Sequence, residues 1–479
     1  MTDVSTPTKA HSDMVDAALP VRTLVAGTKA MRKARKTYLP KEVAESPNAY
    51  NARLARSTLF NATGKTVEDI TGKIFSKPVD FGKDVPAELK AWAENIDNAG
   101  RHINVFACDA FKDSLQPGVG YIFVDAPPPP KRADGAPPTI ADYQATQWRP
   151  YCTFIPVENL IGWKTTIVNG AVMLTQIRIK EFATESDGEW AEKEVEQIRV
   201  VSTNGLGTGC NWQTFRKIED EWMVNGEGTI SLPKIPLAPL YINRTGFMTG
   251  APPLAKLAEK NIEHWQSSSD QRNILHIARV PILFGAGFTE DEKLIIGASE
   301  MIRASNPAAT LQFVEHSGEA IGAGDKDLTN LEKQMVALGL QIMSDGPGGQ
   351  TATGELRDSE KENSPLTMMA TALQDALETA FGFMAEFAKM PFTAGGSILV
   401  NKDFGITGDL STWQSLTQAY IAGKLDAETF INEGKRRGIF SEDVDPETVL
   451  DRIEAAAPDL SQGVPPGKGM QLAEAGFGE

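Results

Sequence analysis

The chain has 479 residues, of which 41% are hydrophobic and 23% are charged, a composition typical of a folded protein with enough apolar material for a core. Its formal net charge of -16 disfavours a free-standing nucleic-acid-binding domain, because such domains are usually basic. The three cysteines are widely spaced without a C-x-x-C pair, which excludes a disulfide scaffold and fits a reducing cytoplasm. The sequence has neither a signal peptide's apolar run nor the ~18 consecutive apolar residues of a membrane span.

Polar residues dominate the start of the chain, and we predict a disordered N-terminus over residues 1–20. From residue 21 to residue 41 there are seven basic residues and no acidic one. The centre of this basic segment consists of Arg32, Lys33, Arg35 and Lys36. It predicts a surface that binds phosphate or a partner, a solvated helix end, or a basic surface that meets an acidic neighbouring subunit.

Residues 21–250 mix helical and strand patterns and are predicted to form an α+β domain. Apolar spacing indicates helices within 50–75, 86–97 and 101–116 and a buried strand at 121–124. Further strands are predicted at 151–155, 172–180, 195–202, 212–217 and 238–242. We expect the tryptophans of this region, Trp190, Trp212 and Trp222, to pack against other side chains.

The pattern changes after residue 250. Residues 251–278 predict a long helix, since Pro252 and Pro253 suit a helix start, and its polar middle is unusual for a core helix. A small β-rich insert is predicted over 279–323, followed by a second helix over 324–343 with apolar residues spaced three and four apart. The predicted remainder comprises a glycine-rich loop at 344–358, helices over 359–460 and a flexible tail over 461–479.

The patterns of known catalytic sites are missing. The loop segment GPGGQTATG, residues 346–354, lacks the lysine of a phosphate-binding loop and follows a helix instead of a strand. The five histidines form no metal-ligand spacing, and no G-x-S-x-G motif marks a hydrolase. We therefore expect no enzyme activity, no cofactor and no metal.

Four stretches and the order of elements carry a resemblance to a known family. The stretches are YNARLARSTLFNATGKTVEDITGKIFSKP at 50–78, GVGYIFVD at 118–125, IPLAPLYIN at 235–243 and GGQTATGE at 348–355. Together they resemble a portal-like family, known mainly from sequence comparison, of tailed-bacteriophage portal (head-to-tail connector) proteins. The resemblance spans roughly residues 20–455.

The resemblance implies an α+β portal fold assembled as a ring, commonly of twelve subunits. Residues 21–250 would form the wing, 251–278 and 324–343 a two-helix stem, 279–323 the clip, 344–358 the tunnel loop, and 359–460 the rest of the wing and the crown. The ring would sit at the portal vertex of the virion capsid after assembly in the host cytoplasm. Implied partners are further copies of the chain, double-stranded DNA in the channel, terminase, a head-completion or adaptor protein, the major capsid protein and a scaffolding protein, with no membrane contact.

The same resemblance assigns candidate site residues. The tunnel loop would present Ser344, Asp345, Gly346, Pro347, Gly348, Gly349, Gln350 and Thr351 to DNA. Terminase would dock on the clip at Thr289, Glu290, Asp291, Glu292 and Lys293. Asp325, Lys326, Asp327, Glu332 and Lys333 are candidates either for lining the channel or for salt bridges between subunits, and a helix with a polar middle suits a channel wall.

Two other functions are compatible with the sequence. One is a different structural protein of the virion, such as an adaptor or a baseplate component. A more remote one is a nucleotide-binding enzyme that uses the loop 344–354.

Overall fold

The structure is a computed structural model. It describes residues 3–132, 136, 138–205, 207–279, 282–287, 306–314, 319–343, 365–402, 404, 410–436, 439–441 and 444–456. The chain divides into two compact units, Met1–Phe404 and Gly405–Glu479.

The described helices are distributed over both units. They are α1 Lys9–Val25, α2 Thr28–Ala34, α3 Pro47–Arg56, α4 Ala62–Ile74, α5 Ala87–Ala93, α6 Ile103–Ser114, α7 Ile140–Ala145, α8 Ala255–Ala278, α9 Glu319–Met343, α10 Pro365–Phe387, α11 Leu410–Ile421, α12 Ala427–Arg436 and α13 Pro446–Ala456. None of the helices in the described ranges is both long enough and apolar enough to cross a membrane.

The strands of the described residues all lie in the first unit. They are β1 Asp80–Phe81, β2 Val119–Asp125, β3 Tyr151–Ile155, β4 Leu160–Val168, β5 Ala171–Ser186, β6 Glu192–Thr203, β7 Cys210–Ile218, β8 Glu221–Ile230, β9 Leu237–Tyr241, β10 Arg244–Gly246, β11 Thr249–Gly250, β12 Ile282–Ala286, β13 Thr310–Val314 and β14 Ile398–Leu399. The mixture of helices and largely separate antiparallel sheets makes the first unit α+β, as the sequence predicts.

A three-stranded antiparallel sheet with the order β3-β2-β9 lies at the centre of the first unit. Its middle strand, β2, is buried over Val119–Val124, because helices cover it. One of these is α10, which also packs against β9 and contributes buried side chains from Leu366 to Phe387. The core therefore joins chain segments that are far apart in the sequence.

The close approach of Gly118 to Gly250 connects this sheet to the start of the long helix α8. Gly118 has φ +85°, and a Cβ atom there would overlap the backbone of Ala251. A Cβ atom on Gly250 would in turn meet the backbone of Gly118 at 2.7 Å. Only glycine meets both the left-handed backbone and the lack of space at Gly118.

A five-stranded antiparallel sheet with the order β4-β5-β6-β7-β8 forms the second layer. The sequence predicts strands at three of these five positions and misses β4 and β8. Ile177, Ile198 and Val201 are fully buried in its inner part, whereas the ends of its hairpins are exposed. Trp190, expected to pack, is 90% exposed at the tip of the β5–β6 hairpin.

The N-terminal prediction needs correction. Residues 9–20, predicted as part of a disordered terminus, form most of α1, which Thr8 caps by accepting a hydrogen bond from the backbone of His11. Met14, Ala18 and Val21 lie in the core, at the helical spacing of one face. This helix packs against α2, α4, α8 and the strand β11, so tertiary contacts order a segment whose composition alone is polar.

The described residues between 251 and 343 form two long helices and, between them in the sequence, an antiparallel pair of strands. The 24-residue α8 leads into β12, which pairs in antiparallel fashion with β13, and the 25-residue α9 follows. The predicted start of the second helix at 324 is corrected, because α9 already begins at Glu319 within the segment assigned to the clip.

The second unit has an aromatic cluster. Phe430 stacks on Tyr420 with 4.5 Å between ring centroids and on Trp413 with 4.7 Å. The ring of Phe440 meets Trp413 edge-on at 5.5 Å. Trp413 and Tyr420 lie on α11, and Phe430 lies on α12. Helix α11 packs on α12, and α12 packs on α13.

Candidate functional site

The long helix α8 packs against α1, α3, α4 and α9, and part of its polar middle is buried there. Ser268, Ser269 and Gln271 are at most 9% exposed, and Asn261, earlier on the same helix, is fully buried. Buried polar groups are stable only when hydrogen-bonded, so their partners explain the polar pattern. The polar middle therefore has a role inside the chain and does not by itself indicate a channel wall.

Asn261 connects α8 to the start of α4. Its Oδ1 accepts hydrogen bonds from the backbone N–H and the hydroxyl of Thr63, each at 3.0 Å, and its Nδ2 donates to the carbonyl of Phe60 at 2.7 Å. The first N–H groups of a helix have no partner within the helix. Asn261 thus supplies an acceptor for the Thr63 N–H from a distant part of the sequence. This contact fixes the angle at which α4 meets α8.

Arg53, on α3, is the charged centre of the same interface and is 5% exposed. Its guanidinium donates to both carboxylate oxygens of Glu45 at 2.9 Å, to Asp270 of α8 at 3.2 Å and to the carbonyl of Pro40 at 2.8 Å. These hydrogen bonds hold the pKa of Glu45 below its ordinary value. A second contact runs from the Ser57 hydroxyl to the Ser269 hydroxyl at 2.8 Å.

The helices α8 and α9 run antiparallel and share polar contacts. His264 Nε2 lies 3.4 Å from Glu332, the Ser267 hydroxyl donates to Asp327 at 2.8 Å, and Gln271 donates to the carbonyl of Ile321 at 2.8 Å. The partner's number falls as the residue number on α8 rises, which establishes the antiparallel direction. Two of the five charged residues predicted for the channel or for subunit contacts, Asp327 and Glu332, therefore contact α8 of their own chain.

The other three charged candidates of α9 lie on its surface. Asp325, Lys326 and Lys333 are exposed, and the structure shows no ion pair for them with any described residue. Val336, on the same helix, is 60% exposed. These side chains remain accessible to a partner or to solvent.

The basic segment separates into two inward-facing arginines and several exposed cations. Arg22 forms ion pairs with Asp113 and Glu158 at 2.7 and 2.9 Å, and Arg32 donates to the carbonyl of Ser57 at 2.8 and 3.0 Å. These two arginines therefore hold elements together.

Four further cations of this segment are exposed. Arg35 donates to Asn51 at 2.7 Å and lies 5.6 Å from the centre of the Tyr50 ring. Lys33 and Lys36 are exposed, as is Lys29, and the described part of the chain provides no ion-pair partner for these three lysines. The sequence predicts the basic segment but does not distinguish its structural arginines from its exposed lysines.

The two other predicted sites lie outside the described residues. They are the tunnel loop Ser344–Thr351 and the clip residues Thr289–Lys293, and they stay predictions.

Three of the described histidines, His11, His102 and His264, make local contacts within the chain. His11 Nε2 lies 3.1 Å from the carbonyl of Glu158, and His102 Nδ1 accepts a hydrogen bond from the backbone of Asn104 at the start of α6. His264 lies beside the Phe60 ring, with 5.3 Å between the centroids. Within the described ranges, no group of three histidine, cysteine or acidic residues could hold a metal ion.

The sequence reasoning misses Arg53, Glu45 and Asn261. The only sequence signal for them is the polar run of α8, which requires buried partners if the helix packs in a core. The partners themselves lie far upstream in the sequence and have no distinctive spacing.

Comparisons with known proteins give one family match and several structural similarities. A family model described as a domain of unknown function (DUF4055) matches residues 253–388, a range that begins just before α8 and ends just after α10. The search of curated proteins found no match.

Three of the solved structures similar to this chain come from gene transfer agent (GTA) particles. One is from the "Virion of native gene transfer agent (GTA) particle", with 12% identity and a TM-score of 0.39, covering 77% of this chain and 87% of that one. Chains from the "Neck of native GTA particle computed with C12 symmetry" and the "Neck of empty GTA particle computed with C6 symmetry" are 11% and 12% identical, each with a TM-score of 0.39 and coverage of 79% and 89%. With TM-scores this low, nothing about the function or assembly of this chain follows from the similarity.

Proposed function

We propose that the chain is a portal subunit, which forms a ring at one vertex of a bacteriophage capsid. The ring would be the channel for packaging and ejection of double-stranded DNA and the docking platform for terminase and the head-completion proteins. In this proposal the chain is not an enzyme, because ATP hydrolysis belongs to the packaging motor.

The observation that supports this proposal is the pair of antiparallel helices α8 and α9, with the antiparallel strands β12 and β13 between them in the sequence. Their contacts run from His264–Glu332 to Gln271–Ile321 over about two turns of helix. This is the stem-and-clip order that the sequence resemblance implies for 251–343. The α+β body before it and the long α10 after it follow the same order.

Electron microscopy of the purified protein tests the assembly. Negative-stain images are expected to show rings with a central channel, and mass photometry a species about twelve times the 51.8 kDa chain. A protein that stays monomeric at all concentrations and salt conditions would contradict the proposal.

A second experiment separates a portal from another ring-forming protein of the virion. Replacement of residues 346–349 by alanine is expected to leave ring assembly intact and to impair DNA packaging, because the loop would face the DNA in the channel. A matched replacement of exposed residues on β8, Glu221 and Glu227 to alanine, is expected to leave packaging unchanged. Normal packaging by the loop variant would argue against the channel.

A further inference from the structure

The hairpin β5–β6 extends beyond the sheet to which it belongs. Pairing between β6 and β7 ends at Gln197–Arg216, whereas β5 and β6 continue to pair as far as Ser186–Glu192. Residues 182–196 therefore form a two-stranded arm, about 16 Å long at 3.3 Å per residue, without a third strand. An isolated two-stranded hairpin is at best marginally stable in water, so contact with another surface would stabilise the arm.

The arm combines exposed aromatic rings with exposed carboxylates. Trp190 is 90% exposed and Phe182 54%. Glu185 and Glu196 form ion pairs within the sheet, with Arg216 and Lys180. The other acidic side chains of the arm are exposed, and no ion pair joins them to any residue in the described ranges; they are Asp187, Glu189, Glu192 and Glu194.

A surface of opposite charge lies on α2 and the turn that follows it. Lys29 and Lys33 lie one turn apart on α2, Lys36 lies in the turn after it, and all three are exposed. We call these three lysines the basic stripe. Clustered cations without an acidic partner among the described residues are unusual on a chain of net charge -16, so an acidic partner is the occupant that fits the stripe.

We propose that the arm of one copy of the chain docks on the basic stripe of the next copy. Four exposed carboxylates then meet three exposed ammonium groups, and Trp190 is buried at the contact. Because the arm and the stripe are different surfaces, the contact is head to tail, and repeated rotation can close it into a ring. This inference names a subunit contact of the proposed ring and rests on the proposed function.

The physical character of this contact follows from its components. Exposed ion pairs each contribute little and are screened by salt, so assembly should weaken as the salt concentration rises. A buried tryptophan is a typical anchor of a protein interface. The carboxylates would therefore select the partner surface, and Trp190 would supply apolar burial.

Charge reversal tests the pairing directly. The stripe variant K29E/K33E/K36E and the arm variant E189K/E192K/E194K are each expected to lower ring formation at least tenfold, measured by mass photometry and negative-stain microscopy. Mixing the two variants is expected to restore assembly. In a ring in which the two variants alternate, every arm again meets a stripe of opposite charge. The variant K164E/K256E/K424E has the same net charge as the stripe variant, and it is expected to assemble like the wild type. Circular dichroism melting of each variant checks that it is folded.

Different outcomes separate this inference from the proposed function. Wild-type-like rings from both reversed variants would overturn the docking and leave the ring intact. If the wild type forms no ring but the two variants associate on mixing, the docking stands and the portal proposal fails. The protein could instead bind a 30-base-pair DNA duplex in low salt through the stripe. If charge reversal of the stripe abolished that binding without affecting assembly, the stripe would be a nucleic-acid surface, and the inference would be overturned.

Discussion

Arg53 carries a full charge at a position where 5% of its side chain is exposed. Withdrawing such a charge from water costs several kcal/mol, which only good partner geometry offsets. Glu45 and the carbonyl of Pro40 supply that geometry from the loop before α3, and Asp270 supplies it from α8. The residue therefore holds the N-terminal segment against α8.

Removal of this guanidinium should be costly. R53M keeps much of the side chain's apolar length but leaves the carboxylate of Glu45, which is 11% exposed, without its partner. Loss of one member of a buried ion pair typically costs about 3 kcal/mol or more, and urea unfolding measures it. The control K9M removes an exposed pair with Asp13 and should have no measurable effect. Equal stabilities of R53M and K9M would contradict the assigned role.

The same ion pair predicts a dependence of stability on pH. Arg53 lowers the pKa of Glu45 in the folded chain below the ordinary value of 4.5. A lowered folded-state pKa stabilises the fold above the unfolded-state pKa, and this contribution is lost as pH falls through the folded-state value. The difference in unfolding free energy between the wild type and E45Q should therefore have its largest value at pH 7 and decrease below about pH 4.5. Urea titrations at pH 7, 5 and 3 measure it, and a constant difference would contradict the pairing.

At the scale of elements, α8 is a core helix whose buried side chains include many polar ones. Its Asn261, Ser269 and Gln271 each have a partner on another segment: Thr63, Ser57 and Ile321. Hydrogen bonds require specific geometry, so such contacts constrain how α8 meets its neighbours more closely than apolar packing alone.

Replacement of Asn261 tests whether this polar interface is structural. N261L leaves the buried backbone N–H and the buried hydroxyl of Thr63 without their acceptor. Unsatisfied buried groups cost about 1–3 kcal/mol each, so we expect a loss of at least about 2 kcal/mol in urea unfolding. S267A removes the exposed contact with Asp327 and should cost less than N261L. The reverse order of the two variants would contradict this view of α8.

The strong apolar patterns predict the element types well. The strand at 151–155 has the same bounds as β3, and the helices predicted within 50–75 and 101–116 correspond to α3, α4 and α6. The sequence pattern misses β8 because Gly226 and Gly228 are unfavourable in strands. In the folded sheet the Trp212 ring covers Gly228, which explains why the glycine is tolerated.

The parts of the fold that depend on distant contacts could not be predicted in this way. Helix α1 contains Pro20 and a polar first turn, and its order depends on packing against α8 and β11. Arg53 and Asn261 find partners on segments that are remote in the sequence, with no motif to connect them. The basic segment is recognisable from composition, but only the folded structure distinguishes Arg22 and Arg32, which bind inside the chain, from the exposed lysines.

At the scale of the whole molecule, the division after Phe404 has consequences for how the chain unfolds. The core of the first unit includes α10, in which Phe383 is 6% exposed. The second unit relies on a smaller set of aromatic contacts around Phe430. Contact clusters of this kind commonly behave as separate cooperative units.

Two matched substitutions test this independence. F430A removes the ring that stacks on Trp413 and Tyr420, and it should destabilise the second unit by roughly 2 kcal/mol. Hydrogen exchange measured by mass spectrometry should then rise over 410–456 and stay unchanged over 365–387. F383A should have the opposite effect, because its ring belongs to the core of the first unit. If F430A also raised exchange across α10, the two units would unfold as one cooperative body, and the division after Phe404 would have no counterpart in stability.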